Sequence, residues 1–347
     1  MKARAFVSAV GARCALGSGA GEVGFLLRTG IPVLAAAPLV DGAGEQVTMG
    51  FDPTLDPYLV GDERAAILAV SALEEAMAPL VAASQAMSAR LVLAVDPPLA
   101  PVPRGLPTPG ARLAALVHTR AKELSPGITL EIVARGAPGA AFALPAALEA
   151  LGARRIDAIV IGGAHSDYDP EIIAALDAAG RIFTPQNLDA RVPGEAAAFV
   201  LLTREETARK LGVTPAARLA GVGHAVGPAE GAALDPRALT SALRAAGEDL
   251  AEAGLRAGWG ICDHSFEVGR VLEWQAAITR TRALWGEPHR LESPAQRVGA
   301  LGAAALPLAM VLAAEGWKRG YAPSGVAMAF AGSEAGERGA IQLSSNV

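Results

Sequence analysis

The 347-residue sequence holds only two cysteines, Cys14 and Cys262, and aromatic residues make up 4% of it. Two cysteines provide neither a metal-ligand spacing nor a disulfide framework, so reduced thiols in a cytoplasmic protein are expected. With so few aromatics, the core must be built from small residues, above all alanine and the 39 glycines of a chain that is 52% hydrophobic. Small side chains let helices lie close on sheets, as layered α/β architectures require. An excess of one charge is also missing, since 30 Lys and Arg face 35 Asp and Glu for a formal net charge of -5. No Lys/Arg cluster is interleaved with aromatics, which argues against a nucleic-acid partner. The apolar stretch Leu301 to Ala314 is too short to span a bilayer and reads as a buried helix. Near the start, an apolar run breaks at Gly11 and Arg13, too soon for the core of a signal peptide, so a first buried strand is expected there.

What is present is an alternation of short apolar runs and helical periodicities. Strands are expected over 5–10, 89–95, 130–134, 156–163, 196–202, 218–226, 259–263, 325–331 and 339–343. Helices are expected over 21–29, 62–80 (capped by Asp62), 112–123, 140–151, 236–255, 273–285 and 301–315. Residues 31–60 lack sustained periodicity and read as loop, and the five prolines between Asp96 and Thr108 impose irregular chain. The charged segment 203–216 reads as a crossover between two halves, 1–210 and 211–347, which together form one compact unit.

Six segments, in order, carry a resemblance to a known family. They are Val7-Ser-Ala-Val-Gly-Ala-Arg-Cys-Ala-Leu-Gly17, the helix Glu22 to Gly30, Leu151 to Gly163 with its paired glycines, Gly194-Glu-Ala-Ala-Ala-Phe-Val-Leu-Leu202, Gly302-Ala-Ala-Ala305 and Phe330-Ala-Gly-Ser333. They stand around the stretch Glu131-Ile-Val-Ala-Arg-Gly-Ala-Pro-Gly-Ala-Ala-Phe142. Each is weak alone; in this order the chain resembles a β-ketoacyl-acyl-carrier-protein synthase of the thiolase superfamily. The resemblance implies a thiolase fold, two similar α/β halves stacked as five layers (αβαβα). It also implies a dimer through the first half, either a homodimer or a heterodimer with an active ketosynthase, and an acyl carrier protein as a further partner. No cofactor and no metal are implied.

The same resemblance locates what has been lost. Where the family carries a nucleophilic cysteine at a strand-to-helix elbow, this chain has Gly136, or Arg135 if the register slips by one. A helix N-terminus favours a thiolate there, and glycine keeps the N–H groups without the sulfur. The first catalytic histidine falls on Cys262 when counted back from Glu273, the second on Gly299, and the accompanying lysine on Pro294. Three catalytic positions have changed while the framework glycines remain. The implied function is a ketosynthase-like protein of fatty-acid or polyketide-type biosynthesis that is inactive in condensation and acts as a chain-length-factor-like partner.

Other candidates stand beside that reading. Cys262 with His264 two residues on is either a displaced nucleophile or small core filling. Asp263, His264 and Ser265 hold the residue types of a triad, but three consecutive residues do not normally converge. His165 and Asp167 follow a strand end as a polar loop or as a functional one. Arg135 is either a carboxylate- or phosphate-binding residue of an acyl-ligand site or one that reaches solvent or a partner. Phe330 resembles the family's gating phenylalanine and is equally well a core aromatic. His118, His224 and His289 show no metal-ligand spacing.

Overall fold

The computed structural model describes residues 5–83, 85–98, 108, 110–229, 235–264 and 266–345. Ser265 and most of the proline-rich stretch before Thr108 therefore lie outside the described residues.

The first half runs β1 (Ala5–Cys14), α1 (Ala20–Thr29), β2 (Ala35–Val40), β3 (Gln46–Met49), α2 (Gly61–Val81) and β4 (Ala89–Val95). It continues through α3 (Ala111–Leu124), β5 (Thr129–Ala134), α4 (Gly139–Gly152), β6 (Ala158–Ser166), α5 (Pro170–Ala178), β7 (Glu195–Thr203) and α6 (Glu205–Lys210). The second half holds β8 (Ala217–Val226), α7 (Arg237–Ala246), α8 (Glu248–Ala253), β9 (Ala257–Cys262), α9 (Val268–Arg280), β10 (Trp285–Glu292) and α10 (Ala295–Val298). It ends with α11 (Ala305–Lys318), β11 (Val326–Gly332) and β12 (Glu337–Ser344).

Ten strands hydrogen-bond in the order β10-β9-β11-β12-β8-β1-β7-β6-β4-β5. Numbered within each half, both sets read 3-2-4-5-1, outermost strand first. In each, strands 2, 3 and 4 are parallel while strand 5 is antiparallel to both its neighbours. The halves join where Ala5, Phe6 and Val7 of β1 face Leu219, Arg218 and Ala217 of β8. The inner layer is α4 and α11, both of which touch strands of both halves. Ala305 to Gly316 of α11 is buried without a break, as suits a helix apolar all round. Outside, α2 lies on the first set of strands with α3 packed against it, and α7 lies on the second with α9 packed against it. This is the five-layered arrangement, and small residues make it possible. A Cβ on Gly11 of β1 would lie 2.0 Å from the Ala72 carbonyl oxygen of α2. One on Gly223 of β8, the equivalent strand, would lie 2.1 Å from the Ala242 oxygen of α7.

Four expectations are corrected. Residues 31–60 contain the β2–β3 hairpin, whose Ala37, Leu39, Val47 and Met49 pack with Tyr168, Ile173 and Leu176 of the α5 region. Asp62 does not cap its own helix; its carboxylate accepts from Gly110 N at 2.9 Å and Leu113 N at 3.4 Å and so caps α3. The helix expected over 236–255 breaks at Gly247, and the one over 273–285 starts at Val268 and stops at Arg280. Trp285 instead opens β10, an edge strand whose polar sequence and Pro288 hide it from periodicity. Among the described residues no helix is long and apolar enough to cross a membrane.

Candidate functional site

Parallel strands β4, β5 and β6 run side by side, so their carboxyl ends converge: Asp96 and Gly136 just past β4 and β5, and His165 within the end of β6, which runs on to Ser166 and is not the loop the sequence suggested. Crevices at the carboxyl ends of parallel strands are the usual ligand sites of α/β sheets. The second half contributes the ends of β9 and β11 in the same way, with His264 and Gly332. Between them lies a cavity of about 560 Å³.

At its floor the chain turns from β5 into α4. Gly136 takes φ +60°, donates its N–H to the Val95 carbonyl at 3.0 Å and lines the cavity. A Cβ there would come within 3.3 Å of Asp96 Oδ1 and 3.4 Å of Pro97 Cδ. Gly136, and not Arg135, is therefore the elbow residue. Arg135 is off the cavity wall: its guanidinium lies 4.6 Å from the centre of the Phe142 ring and 3.2 Å from Glu337 Oε1.

His165 is the buried centre of the first wall. Its Nδ1 is 2.7 Å from Asp96 Oδ2. Its Nε2 is 3.0 Å from Asp167 Oδ2, an ion-pair distance, though without an aligned hydrogen bond. Burial works to lower the imidazole pKa, but Asp167 and Asp96 outweigh it and raise the group to about 10. The histidine is thus an imidazolium at neutral pH and not a base. Burial would raise Asp167, yet Arg191 and His165 hold its carboxyl well below the usual range. Gly194 N also donates to Asp167 at 3.2 Å.

The opposite wall belongs to the second half. Arg270 reaches Asp263 at 3.1 Å, and Asp263 accepts from Gly332 N at 3.0 Å. Arg181 spans from the first half to Glu267 at 3.0 Å, and Arg191 contacts Glu334 at 3.4 Å. These ion pairs tie the two halves across the cavity. Cys262 lies behind His264, with Sγ 2.8 Å from His264 Nδ1 and 3.5 Å from the Glu292 carbonyl. Burial, then the neighbouring Asp263, pushes this thiol up to about 12, and burial lowers His264. The two residues therefore do meet, but as a neutral pair with the sulfur off the cavity wall.

Gly299 sits at φ +77° and ψ -173°, where a Cβ would lie 2.2 Å from the Pro193 oxygen. No side chain fits there. Phe330 is buried in the second half's own core, edge-on to Trp285 with ring centres 6.2 Å apart, and does not line the cavity. The triad reading of Asp263, His264 and Ser265 cannot be placed, Ser265 being outside the described residues, and Asp263 is committed to Arg270. Asp96 is the residue that sequence reasoning passed over. Its signal was position: it directly follows a buried strand parallel to the one that leads to the elbow. Among the described residues no group of three or more His, Cys, Asp or Glu is placed to hold a metal ion.

Solved structures share this architecture. The ishigamide ketosynthase/chain length factor superposes with a TM-score of 0.78 at 16% identity, covering 100% of both chains. The AntDE:AntF structure, a type II polyketide synthase acyl-carrier protein in complex with its ketosynthase bound to the hexaketide, gives 0.77 at 16% identity, again with 100% of both chains covered. The fold is the thiolase fold of ketosynthases and chain length factors. The ketosynthase ApeO in complex with its chain length factor ApeC from Xenorhabdus doucetiae gives 0.74 at 14% identity, covering 99% of this chain and 98% of that one. The sequence matches no protein-family model and no curated protein. In this thiolase-fold chain the cavity lies at the elbow, and its polar lining is one of paired acids, arginines and His165.

Proposed function

We propose that this chain is a ketosynthase-like subunit of polyketide- or fatty-acid-type biosynthesis that does not condense acyl chains and serves as the partner of an active ketosynthase. The observation that carries this is the open elbow: the cavity reaches Gly136, where no side chain exists to accept an acyl group. No cysteine lines the cavity among the described residues. Its two serines are engaged, Ser166 with Glu195 at 3.0 Å and Ser333 with Glu337. The position expected for the second histidine, Gly299, is pressed on backbone, and Cys262 is buried off the cavity wall, so the histidines on that wall are His165, held by Asp96 and Asp167, and His264.

Pairing through the first half is supported by β5, which ends the sheet with one unpaired edge and leaves Ile132 51% exposed. The relatives include a ketosynthase bound to its chain length factor and one bound to its acyl-carrier protein. On this reading a ketosynthase and an acyl carrier protein are the partners. The test is co-expression with a ketosynthase from the same genome, followed by size-exclusion chromatography and intact mass after exposure to acyl and malonyl thioesters. A heterodimer with acyl mass on the partner alone is the expected result. Acyl mass on this chain, or a homodimer that never takes up the ketosynthase, would overturn it.

One observation favours a second reading, an acyltransferase using Cys262: the 2.8 Å contact with His264. Its thiol pKa of about 12 and its burial stand against attack at neutral pH. An acyl adduct on the wild type that is absent from Cys262→Ala would decide for this enzyme.

A further inference from the structure

The cavity described above also carries information about charge. Its described walls contain seven carboxylates, among them Asp96, Glu171, Asp263 and Glu334, and three guanidiniums, those of Arg181, Arg191 and Arg270. Adding His165 as one positive group still leaves the walls about three charges negative by simple counting. Within that set most acids are already spoken for: Asp62 by α3, Asp167 by Arg191 and His165, Asp263 by Arg270, and Glu267 and Glu334 by Arg181.

Asp96 differs. Its Oδ2 is fixed by His165 Nδ1 at 2.7 Å, while Oδ1 is turned toward the elbow, 3.3 Å from where a Gly136 side chain would begin. Its side chain is 35% exposed, and among the described residues no arginine or lysine pairs with it. Behind it His165, only 7% exposed, has an Nε2 that makes no aligned hydrogen bond. A built polar end thus faces the cavity: Asp96 Oδ1 is an oriented acceptor, held in place by a buried imidazole whose other nitrogen lies 3.0 Å from Asp167. Around it the walls are apolar, with Ala65, Val95, Leu113, Ile172 and Leu301. The volume lies in the range of small-molecule sites.

We infer that the cavity binds a small molecule with a primary ammonium group on an apolar body, its ammonium donating to Asp96 Oδ1 at the elbow. An anionic extender such as a malonyl group would be repelled from the same place. An ammonium is a compact cation with three donors and no acceptor, which suits a single free carboxylate oxygen beside other acids. A carboxylate ligand would bring a like charge within a few ångströms of Asp96. The inference rests on the non-covalent reading of the elbow but is independent of any partner.

The experiment is isothermal titration calorimetry on the full chain at pH 7 with n-hexylammonium, and with hexanoate as the charge-reversed probe of similar size. Saturable hexylammonium binding with no heat from hexanoate is expected. Asp96→Asn should weaken the amine at least tenfold, and Glu171→Gln, on the exposed start of α5, by less. Circular dichroism and melting of each variant report its folding; if Asp96→Asn does not fold, Glu171→Gln and the loss of affinity between ~50 and ~300 mM salt, over which the Debye length falls from roughly 14 to roughly 6 Å, carry the test. Equal or tighter hexanoate binding, no saturable amine binding, or amine affinity unmoved by the variants and by salt would overturn the proposal. Acyl adducts on the wild type would instead strike at the non-covalent reading, so the two failures are distinguishable.

Discussion

The two halves share one strand order, and in each the third strand leads toward an inner helix past a glycine that stands where the resemblance places a catalytic group. In the first half that glycine is Gly136, between β5 and α4; in the second it is Gly299, between β10 and α11. Their surroundings differ. A Cβ on Gly136 meets a carboxylate oxygen and a proline carbon at 3.3 and 3.4 Å, tight contacts on the edge of open space. A Cβ on Gly299 meets the backbone of Pro193 and Gly194 at 2.2 to 2.9 Å. The first position borders open space, whereas the second is closed by the main chain. A side chain at the first is a local matter; at the second it would disturb the architecture, because Ala300 N also bonds Val192 O at 2.8 Å beside it.

The comparison breaks most directly at Gly299. Gly299→Ala puts a side chain in a backbone region open essentially to glycine alone and into contact with a carbonyl. A cost of roughly 3 kcal/mol or more is expected, read as a large fall in melting temperature or as insoluble protein. A variant that melts with the wild type would show that this segment moves freely and that the closure is not structural.

A second effect comes from His165. Its folded pKa is raised to about 10 from 6.5, so its contribution is complete below about 6.5 and is lost as pH rises through 10. Between those values the folded chain keeps a proton that the unfolded chain has released, and stability falls by about 1.4 kcal/mol per pH unit from this group. Asp167 acts oppositely, its lowered pKa giving stability above the carboxylate range that is lost only in acid. Denaturant titrations from pH 7 to 10 should therefore show a decline that His165→Asn largely removes. An equal decline in both proteins would mean that the proton sits elsewhere.

Gly136→Cys sharpens the contrast with Gly299. A non-glycine residue at φ +60° costs roughly 1–2 kcal/mol, a loss a folded protein can absorb. The new thiol lines the cavity, whereas Cys14 and Cys262 are buried with thiols near pKa 12. Iodoacetamide should then label one cysteine in the native variant and none in the wild type. Failure to label the variant would mean that the elbow is closed to solvent.

Much of this was legible in the sequence because burial is written as uninterrupted apolar runs. The segments around Ile159 and Val200 became β6 and β7, strands buried along their whole length. The β2–β3 hairpin escaped because its core face is only Ala37, Leu39, Val47 and Met49 amid exposed residues, and its partners come from α5, some 130 residues on. The elbow was readable from the resemblance only as Gly136 or Arg135, and it is Gly136 that takes the positive φ and lines the cavity. Asp96 was not, since its role depends on β4 and β6 lying side by side, a pairing that residue periodicity does not encode. Cys262 and His264 were paired as candidates in the sequence, but their contact was not readable: it arises because the chain leaves β9 after Cys262, so strand spacing no longer governs the pair.

The smallest effect tests the other side of the elbow. Arg135 precedes Gly136 by one residue yet faces away, 43% exposed, pairing with Glu337 across the join between the halves and stacking on Phe142. A half-exposed ion pair and a cation–π contact each contribute at most about 1 kcal/mol at such a site. Arg135→Ala, which removes both, should lower stability by no more than about 2 kcal/mol, with the difference shrinking in high salt, and should leave hexylammonium affinity unchanged. If the variant instead loses ligand binding while melting normally, the binding end of the cavity lies on the Arg135 side of the turn. The one-residue step between Arg135 and Gly136 would then not separate an inner, functional face of the elbow from an outer, structural one.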